Sequence, residues 1–529
     1  VRVTMTPASR QYTLVASNRT TSAWFSYDGA WFTGADGQPI GSVAFLMRGP
    51  SGAGNDAFLD DVDISSPGVT EPPGQLPVLE GSFWRYFKGT STPATQGTNQ
   101  WYHGGFNDNA WFGPSPSGFG YGDCDDATTL SDMQNNYRVV FTRKTFIVTN
   151  ASAISRLTLA VDFDDGILAY LNGTEIARSN LPAGAVSHTT SASGNHESSR
   201  GESSGNPRPR EFITVNPSLL VNGTNLLAVS GHNVSSNSSD FTLIAELHAN
   251  ASLIRGPFIQ MPDPGNKAMV AWSTAGQVDG AVDYGLDLSY SGGTVSNGAL
   301  VRDHALVLSG LLPGTTYYYR VRSHGEILSA GQSFTTRASA DQPFRFAVIG
   351  DHGQGTEWMY NIANRLNQRH DFDLLLTVGD NIYGSTLCNV DGAPGWYDPF
   401  WFRLYGPTMK RAPVFPALGN HDKDTANGQY QVDYFYAPTN GPVSEIEKNY
   451  TLDYGNVQFI IIDSDPFQNN ETAVMASITS WLSNAVAQST QTWKIALFHH
   501  PAFTSHGNHN DNERVKAQTI PLLKAHGLQ

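Results

Sequence analysis

Four hydrophobic runs in the second half of the chain each end in a short polar motif, and this repeated pattern limits the possible folds more than any other feature. The motifs that end the runs are Gly350-Asp351-His352-Gly353, Gly379-Asp380-Asn381-Ile382-Tyr383, Gly419-Asn420-His421-Asp422 and His499-His500-Pro501. A short apolar run that is bounded by glycine or proline is typical of a buried β-strand. The pattern therefore predicts four buried strands that each deliver polar side chains at their C-terminal ends.

Two segments between these runs have the apolar spacing of amphipathic helices. Residues 356–368 and 472–486 each place their apolar side chains on one helical face. Strands that alternate with helices predict right-handed crossovers and a largely parallel sheet, which can pair with a second sheet as a sandwich. Because ligands of such sheets bind beyond the C-terminal strand ends, the four motifs are expected to share one site.

The side chains in these motifs predict a two-metal site for a phosphate ester. Two cations about 3.5–4 Å apart neutralise the phosphate oxygens and produce hydroxide near neutral pH. Asp380 is suited to bridge the ions, because its motif lies between the others in the chain. Asp351 and Tyr383 could bind one ion. Asn420 and His499 could bind the other.

The residue types also indicate which metals suit the site. A coordinated phenolate needs a strongly Lewis-acidic metal to lower its pKa from about 10, and ferric iron meets that need better than zinc or magnesium. The amide of Asn420 and the imidazole of His499 suit a divalent ion, namely Zn, Fe or Mn. Each motif alone is commonly a turn or a capping pair, so the prediction depends on finding four of them in one order.

Length and composition indicate a multidomain, strand-rich protein. At 529 residues the chain is too long for one core, so three or more domains are expected. Only 15% of the residues are charged, while 52 are glycine and 29 are proline, which favours many short strands and turns. The net charge of −15 argues against a nucleic-acid-binding surface, which needs clustered Lys and Arg.

Several features bear on the cellular location of the protein. The two cysteines, Cys124 and Cys388, fall in different predicted domains and exclude a disulfide framework. No apolar run reaches the roughly 18 residues of a membrane helix. The chain starts at Val1 without Met or a signal peptide, so we expect a processed chain or a fragment, and a secreted, extracellular protein. Asn-X-Ser/Thr sequences, which would carry glycans only in a eukaryotic secretory pathway, occur among others at Asn18, Asn172, Asn222, Asn233 and Asn449.

The N-terminal region, residues 1–66, is predicted to be a partial β module. Its last segment, residues 55–64, resembles the last strand of a jelly-roll carbohydrate-binding module. Asp60, Asp61 and Asp63 in this segment could hold a structural calcium ion, or could be exposed carboxylates along an edge strand. A Pro/Gly linker follows the module.

Residues 79–249 are predicted to form an all-β domain that resembles the galactose-binding-like β-sandwich. The residues that carry this resemblance are Trp111, Tyr137-Arg138, Asp164-Asp165-Gly166, the Leu171-Asn172-Gly173 hairpin turn, and Gly223 to Val229. They are mainly turn and core residues, so they indicate a fold rather than sugar binding.

Residues 253–336 are predicted to form a seven-strand sandwich. The corner Leu311-Leu312-Pro313-Gly314-Thr315-Thr316-Tyr317 resembles that of fibronectin type III domains. In those domains a tyrosine hydroxyl ties a strand to the preceding turn.

Residues 343–529 resemble the purple acid phosphatases, a branch of the calcineurin-like metallophosphoesterases. The resemblance lies in Gly350-Asp351-X-Gly353, Gly379-Asp380-X-X-Tyr383, Gly419-Asn420-His421-Asp422 and Ala496-X-X-His499. Most metallophosphoesterases carry histidine where this chain has Gly353, so the tyrosine-using branch matches better and His352 is not a transferred ligand. The resemblance covers the preceding fibronectin-like domain as well, and it implies an α/β domain of the αββα-sandwich type.

The resemblance also implies roles for individual residues. Asp351, Asp380 and Tyr383 would bind ferric iron. Asp380, Asn420 and His499 would bind the divalent partner ion. His421 would contact the phosphate and help to protonate the leaving alcohol.

A loop after His499 corresponds to a second substrate-facing segment of the family. His509 is the better positional match in this loop, and His506 is the alternative. Both could equally be solvent-exposed loop histidines.

The leading functional hypothesis is a secreted acid phosphatase that hydrolyses the monoester of a phosphorylated small molecule by metal-activated hydroxide. One alternative is a phosphodiesterase or nucleotidase on the same fold, because selectivity depends on loops such as residues 385–397. A second alternative is a non-catalytic surface or glycan-binding protein with a vestigial metal site, in which the N-terminal β modules matter most.

The family's fifth motif, Gly-His-X-His, would follow a helix over residues 512–526 and one further strand. The sequence stops at Gln529, before that strand. We therefore expect a catalytic domain that is incomplete at its C-terminus. As a fragment it would bind metals poorly and hydrolyse little on its own, whereas the intact enzyme would be active.

Overall fold

The computed structural model describes the backbone of residues 2–6, 11–17, 24–28, 74–123, 126–201, 206–383, 391–505 and 513–525. Side chains are described from residue 76 onward within these ranges, apart from Glu357. The chain divides into two compact units, Val1–Pro72 and Pro73–Gln529. The first unit contains an antiparallel sheet of three strands, Arg2–Thr6, Gln11–Ser17 and Trp24–Asp28. The three aspartates proposed for calcium in this unit lie outside the described residues.

Two sheets that share one core form the part of the second unit between residues 74 and 249. The five-stranded sheet has, in spatial order, the strands Glu211–Val215, Leu157–Asp164, Phe241–Ala249, Phe119–Tyr121 and Thr128–Thr129. The seven-stranded sheet has the strands Thr174–Ser179, Gly166–Leu171, Gly223–His232, Val139–Val148, Phe83–Lys88 and Phe112–Pro116, with Gly74–Gln75 beside Val139–Val148.

Alternating side chains explain why these two sheets pack together. Phe163 of the five-stranded sheet and Leu227 of the seven-stranded sheet are buried in the same apolar cluster. The opposite face of the seven-stranded sheet is covered by the aromatic-rich early loops, where Trp101 packs near Phe141. The predicted hairpin turn at Asn172-Gly173 is confirmed, since both residues have the positive φ angles that such a turn requires.

A single five-stranded sheet follows, and its strand count corrects the prediction of seven strands. Its strands are Leu253–Gln260, Ala268–Gly285, Gly293–Leu308, Thr316–Ser323 and Glu326–Thr335. The two longest strands continue through register shifts, the first of them between Ser273 and Val278. The first half of Ala268–Gly285 therefore pairs with Leu253–Gln260, and its second half pairs with Thr316–Ser323. One long strand thus replaces two short strands of the predicted sandwich.

The predicted tyrosine corner of this sheet is present. The Leu312 N–H donates a hydrogen bond of 3.0 Å to the Tyr317 hydroxyl oxygen. This contact ties the strand Thr316–Ser323 to the turn that precedes it.

The C-terminal domain contains two three-stranded sheets. The first is wholly parallel, with strands Phe346–Ile349, Leu374–Thr377 and Val414–Pro416. The second is mixed: Tyr450–Tyr454 runs antiparallel to Val457–Ile461, which pairs in parallel with Trp493–Leu497. The fourth predicted strand therefore belongs to a different sheet from the other three.

The period of two along these strands divides the domain into layers. Leu374 and Leu376 lie in a core cluster with Phe459 of the second sheet, whereas Leu375 lies in a cluster with helix residues on the other side. Ile460 likewise packs with the helices outside the second sheet. The two sheets thus face each other between two helical layers.

Helices cover both outer faces of this pair of sheets. The α-helices are Glu357–Gln368, Pro394–Tyr397, Gly406–Met409, Asn420–Lys423, Gln429–Phe435, Asp465–Asn469, Thr472–Ala487 and Ile520–Ala525. Asp398–Arg403 and Val515–Thr519 are π-helical, and Ala426–Gly428 and Val443–Glu445 are short 3₁₀ turns. Two further 3₁₀ turns, Ala151–Ala153 and Pro217–Leu219, belong to the sandwich between residues 74 and 249. No helix in the described ranges is both long and apolar enough to span a bilayer.

Candidate metal centre

The first two motifs leave their parallel strands through tight left-handed turns. Asp351 follows the strand Phe346–Ile349 with φ of 51°, and Asp380 follows Leu374–Thr377 with φ of 52°. The Asp351 N–H donates to the Gly379 carbonyl over 3.1 Å, which holds the two turns side by side. Aspartate tolerates this backbone region better than most residues, so the two carboxylates are held next to each other at the strand ends.

Asp380 lies at the centre of the group and is only 2% exposed. Its Oδ2 accepts a hydrogen bond of 2.5 Å from the Tyr383 hydroxyl, which also lies 3.1 Å from Asp351 Oδ1. His499 Nε2 is 3.3 Å from Asp380 Oδ2. One ligand atom from each of Asp351, Asp380 and His499 lies within 4.8 Å of the others. The structure therefore brings four of the five predicted metal-binding residues into one group.

Two glycines permit this close packing. A Cβ on Gly419 would lie 2.1 Å from Asp380 Oδ1, and a Cβ on Gly379 would lie 2.7 Å from the His499 Cβ. Any side chain at either position would push a predicted ligand out of place. The glycines of the second and third motifs are thus required by space, and Gly379 also by its φ of 92°.

His499 presents one particular ring nitrogen to the carboxylates. Its Nδ1 is 3.0 Å from the Val378 carbonyl, which can only accept, so Nδ1 carries a proton and Nε2 faces Asp380. Burial opposes the charged ring, but the hydrogen bond to Asp380 and its charge raise the pKa of His499 to about 9. The pKa of Asp380 is lowered, because His499 and Tyr383 outweigh the effect of burial.

The Tyr383 phenol is held firmly in its protonated form. Burial, followed by the hydrogen bond to Asp380 and the charges of both carboxylates, raises its pKa far above the usual value. A cation at the carboxylates would reverse this balance, because it would favour phenolate and neutral imidazole. The structure already brings carboxylates, a phenol and an imidazole Nε2 together around Asp380. This donor set fits a metal ion.

The fifth predicted ligand and the predicted catalytic histidine lie at the end of the third parallel strand. Asn420 is the half-buried first residue of the helix Asn420–Lys423. The His421 N–H donates to Asp380 Oδ1 over 3.2 Å, and His421 Nε2 is 3.8 Å from Asp380 Oδ2. The His421 ring centre lies 4.4 Å from that of Tyr383. His421 is therefore placed beside the carboxylates with its Nε2 toward them.

Asp391 is a site residue that sequence reasoning missed. Its carboxylate forms a short hydrogen bond with His421 Nδ1. This bond, despite burial, raises the pKa of His421. Asp391 lies in the loop between the second and third motifs, and nothing in the sequence indicates which residue of that loop returns to His421.

Asp422, the last residue of the third motif, has a structural role that the sequence does not indicate. It is fully buried and accepts hydrogen bonds of 2.9 Å from the backbone N–H groups of Asn381, Ile382 and Gly419. Burial, followed by the charge of Asp380, raises its pKa to about 7 in spite of these bonds. Asp422 thereby joins the second motif to the third.

His352 of the first motif does not join the group. His352 is buried among aromatic side chains with Nδ1 3.2 Å from the Tyr405 hydroxyl, and burial lowers its pKa to about 4. Its ring packs edge-on against Trp401. His506 and His509 lie outside the described residues.

Two segments of the chain match known families. Residues 344–529 match the calcineurin-like phosphoesterase family, and residues 255–336 match the purple acid phosphatase N-terminal domain. These matches follow each other in the order that the sequence resemblance implied.

Several curated proteins are similar to the chain. Purple acid phosphatase 17 of Arabidopsis thaliana is 23% identical over 235 residues, which is 39% of this chain and 65% of the relative. Purple acid phosphatase 23 of the same plant is 26% identical over 245 residues, covering 42% and 53%. Acid phosphatase type 7 of Mus musculus is 26% identical over 293 residues, covering 50% and 63%. The chain thus spans about half to two thirds of the length of these relatives.

Among solved structures, the purple acid phosphatase PPD1 from yellow lupin (Lupinus luteus) seeds is 13% identical with a TM-score of 0.45, and the match covers 75% of this chain and 77% of that one. The two family matches, together with the curated relatives, show that residues 255–529 are a purple acid phosphatase-like part of the chain, with a calcineurin-like phosphoesterase domain over residues 344–529.

Proposed function

We propose that this protein is a binuclear metal phosphatase that hydrolyses phosphate monoesters. The observation that supports this most directly is the convergence of Asp351, Asp380, Tyr383 and His499 at strand ends that come from two different sheets. A group of acids, a phenol and an imidazole has no packing role that requires this arrangement. It has a clear role in holding cations next to a phosphate group.

We assign the metal ligands as the sequence resemblance implied. Asp351, Asp380 and Tyr383 hold ferric iron, and the short contacts of the Tyr383 hydroxyl to both carboxylates support this grouping. Asp380, Asn420 and His499 hold a divalent ion, namely Zn, Fe or Mn. The inward Nε2 of His499 and the position of Asn420 on the turn beside Asp380 support the second grouping.

When both ions are bound, they neutralise the phosphate oxygens and lower the pKa of the attacking water. The protein residues orient these groups. The hydrogen bond from His499 Nδ1 to Val378 fixes the ring so that Nε2 stays on the ligand side. Asp422 fixes the spacing of the second and third motifs through three backbone hydrogen bonds.

His421 is assigned as the general acid that protonates the leaving alcohol. The hydrogen bond to Asp391 occupies Nδ1, so Nε2 is the nitrogen that can face a substrate bound at the carboxylates. The raised pKa of His421 keeps this proton available in mildly acidic solution. His509 remains a proposed second substrate-facing residue, with His506 as the alternative.

The substrate class is tested by comparing the full-length protein on p-nitrophenyl phosphate and on its bis ester. A monoesterase hydrolyses the first compound faster, and a phosphodiesterase the second. As a control variant, Asp371→Asn should hydrolyse both compounds as the wild type does. This exposed aspartate of the same domain pairs only with the exposed Arg369 among the described residues. Equal or faster hydrolysis of the bis ester would contradict the monoesterase assignment.

We also propose folds and a location for the remaining parts. The shared core of the two sheets between residues 74 and 249 supports a galactose-binding-like sandwich, and the Tyr317 corner supports a fibronectin type III-like domain. A jelly-roll origin for residues 1–66 and glycan binding by the N-terminal modules stay proposals from the sequence. Extracellular placement is also a proposal. The Asn-X-Ser/Thr sequences at Asn233 and Asn449 do not support it, because both asparagines are fully buried and closed to glycans in the folded protein.

A further inference from the structure

A cavity of about 320 Å³ lies away from the carboxylate centre, at the meeting point of three parts of the molecule. Its walls come from the strand Glu211–Val215 of the sandwich, from the sheet that contains Arg302, and from the helices Pro394–Tyr397 and Gln429–Phe435. None of the predicted metal ligands lines it. A volume of roughly 300 Å³ at a junction between domains is within the range of small-molecule sites.

Arg302 is the unusual residue of this cavity. Its guanidinium carbon lies 3.3 Å from the centre of the Phe212 ring, so one face of the group is covered. Its Nε is shielded from solvent and has no hydrogen-bond partner among the described residues. No carboxylate of the described residues forms an ion pair with Arg302. A half-buried cation without an anion is costly, and the cost is relieved when an anion binds.

The other two arginines that line the cavity are already paired. Arg210 binds Glu246 over 3.0 Å, and Arg255 binds Asp398 over 2.8 Å. Their charges are offset within these pairs, so Arg302 is the arginine of the cavity that has no ion pair among the described residues. Burial lowers the pKa of Arg302, the charge of Asp303 opposes this effect, and the charges of Arg255 and Arg210 add to it.

Asp303 does not serve as the missing partner of Arg302. It is exposed, and its Oδ1 accepts a hydrogen bond of 2.5 Å from the Ser273 hydroxyl. The edge of the Arg302 guanidinium is therefore left for a group that enters the cavity. That edge is a planar fork that matches the two oxygens of a carboxylate or phosphate.

We propose that this cavity is a binding site for a small organic anion, whose carboxylate or phosphate group pairs with Arg302. Tyr430 and Tyr434, which line the cavity, supply aromatic walls for the body of the ligand. The site is separate from the proposed phosphatase centre and does not depend on its metals.

The test is calorimetric titration of the full-length protein with two anions and one uncharged compound. Phenylphosphonate carries a phosphonate that cannot be hydrolysed, glucuronate carries a carboxylate, and glucose carries no charge. We expect at least one anion to bind and glucose not to bind. Arg302→Gln should weaken that binding by at least about tenfold, because a hydrogen-bonded charge pair is lost. Arg302→Lys should weaken it less, since the charge stays and the fork is lost.

Arg365→Gln is the matched control, because Arg365 is exposed on the helix Glu357–Gln368. It should bind both anions as the wild type does. A phosphonate-only result identifies phosphorylated ligands, and a glucuronate-only result identifies carboxylates. Binding that is equal in the wild type and Arg302→Gln would overturn the proposal, because it would belong elsewhere, including the carboxylate centre.

Hydrogen exchange on the wild type decides the question if Arg302→Gln does not fold. Added anion should protect the backbone of Glu211–Val215 and Gln429–Phe435, which line the cavity. Protection that is absent from both segments would overturn the proposal, as would a wild-type protein that binds neither anion.

Discussion

Two of the three compact groups of acidic and histidine side chains in the described part of the chain differ in what surrounds them. One consists of Asp351, Asp380 and His499 in the C-terminal domain, and the other consists of Asp164, Glu197 and Asp240 in the sandwich. In both groups the potential ligand atoms lie within 4.8 Å of one another. Distance alone therefore does not separate a candidate catalytic centre from a buried acidic cluster.

The difference lies in charge compensation. The Tyr383 hydroxyl and His499 donate to Asp380 and lower its pKa, so this carboxylate stays ionised. The pKa of Asp164 is shifted in the opposite direction. Burial, followed by the charges of Asp240 and Asp165, raises it well above the usual range. The first group keeps its negative charge and can attract cations, whereas Asp164 relieves repulsion by holding a proton.

The largest effect that distinguishes the groups is expected from matched substitutions. Asp380→Asn should reduce hydrolysis of p-nitrophenyl phosphate by at least about 1,000-fold, because several kcal/mol of metal-dependent stabilisation is lost. Asp164→Asn in the other group should leave the rate unchanged. Steady-state kinetics of the two full-length variants provide the comparison, and a similar loss in both would mean that the groups do not differ in function.

The next largest effect should come from the residue that joins the motifs. Asp422→Ala leaves the backbone N–H groups of Asn381, Ile382 and Gly419 without their buried acceptor. We expect the free energy of unfolding to fall by at least about 3 kcal/mol, since each of the three buried groups that lose their partner costs about 1–3 kcal/mol. Urea denaturation measures this change, and a loss below about 1 kcal/mol would show that these bonds are replaced by others.

A smaller effect is expected at the phenol. Tyr383→Phe removes one proposed ligand while keeping the ring, so metal affinity should fall by about tenfold or more. The full-length wild-type protein should show a purple or pink absorption band from tyrosinate bound to iron, and the variant should lose that band. Visible spectroscopy on both proteins checks this, and an unchanged band would remove Tyr383 from the metal site.

The smallest effect concerns the pH dependence of stability in the sandwich. Because the folded pKa of Asp164 lies above its unfolded value of about 4, its contribution is full below that pH and is lost as the pH rises toward the folded pKa. Asp164→Asn cannot ionise, so it should gain stability over the wild type by at least about 1 kcal/mol at about pH 8.

Urea unfolding of both proteins at about pH 4 and about pH 8 measures this difference. The exposed Asp371→Asn serves as the control and should not gain stability as the pH rises. A difference between Asp164→Asn and the wild type that does not change with pH would show that Asp164 is ionised in the folded protein.

Periodicity predicted the elements around the site closely. The helix expected over residues 472–486 is Thr472–Ala487, and the one expected over residues 356–368 is Glu357–Gln368. These segments bury one apolar face, which the sequence reveals directly. The positions of Asp351 and Asp380 were predictable for the same reason, because each follows a short buried strand.

Features that depend on tertiary closure were not predictable. The mixed second sheet arises because Tyr450–Tyr454 pairs antiparallel, and an apolar run carries no information about the direction of its partner. Asp391 reaches His421 across a loop, and no periodic pattern marks such a contact. The opposite charge states of Asp380 and Asp164 follow from burial and from neighbours that include His499 and Asp240, which are far away in the sequence.

The most direct test of the central claim is the metal content of the full-length protein and its Asp380→Asn variant, measured by plasma mass spectrometry after dialysis. If the strand ends form a two-metal centre bridged by Asp380, the wild type should retain a pair of metal ions per chain, one of them iron, and the variant should retain neither. A wild type that hydrolyses phosphate monoesters without bound metal, or a variant that keeps both ions, would contradict this account.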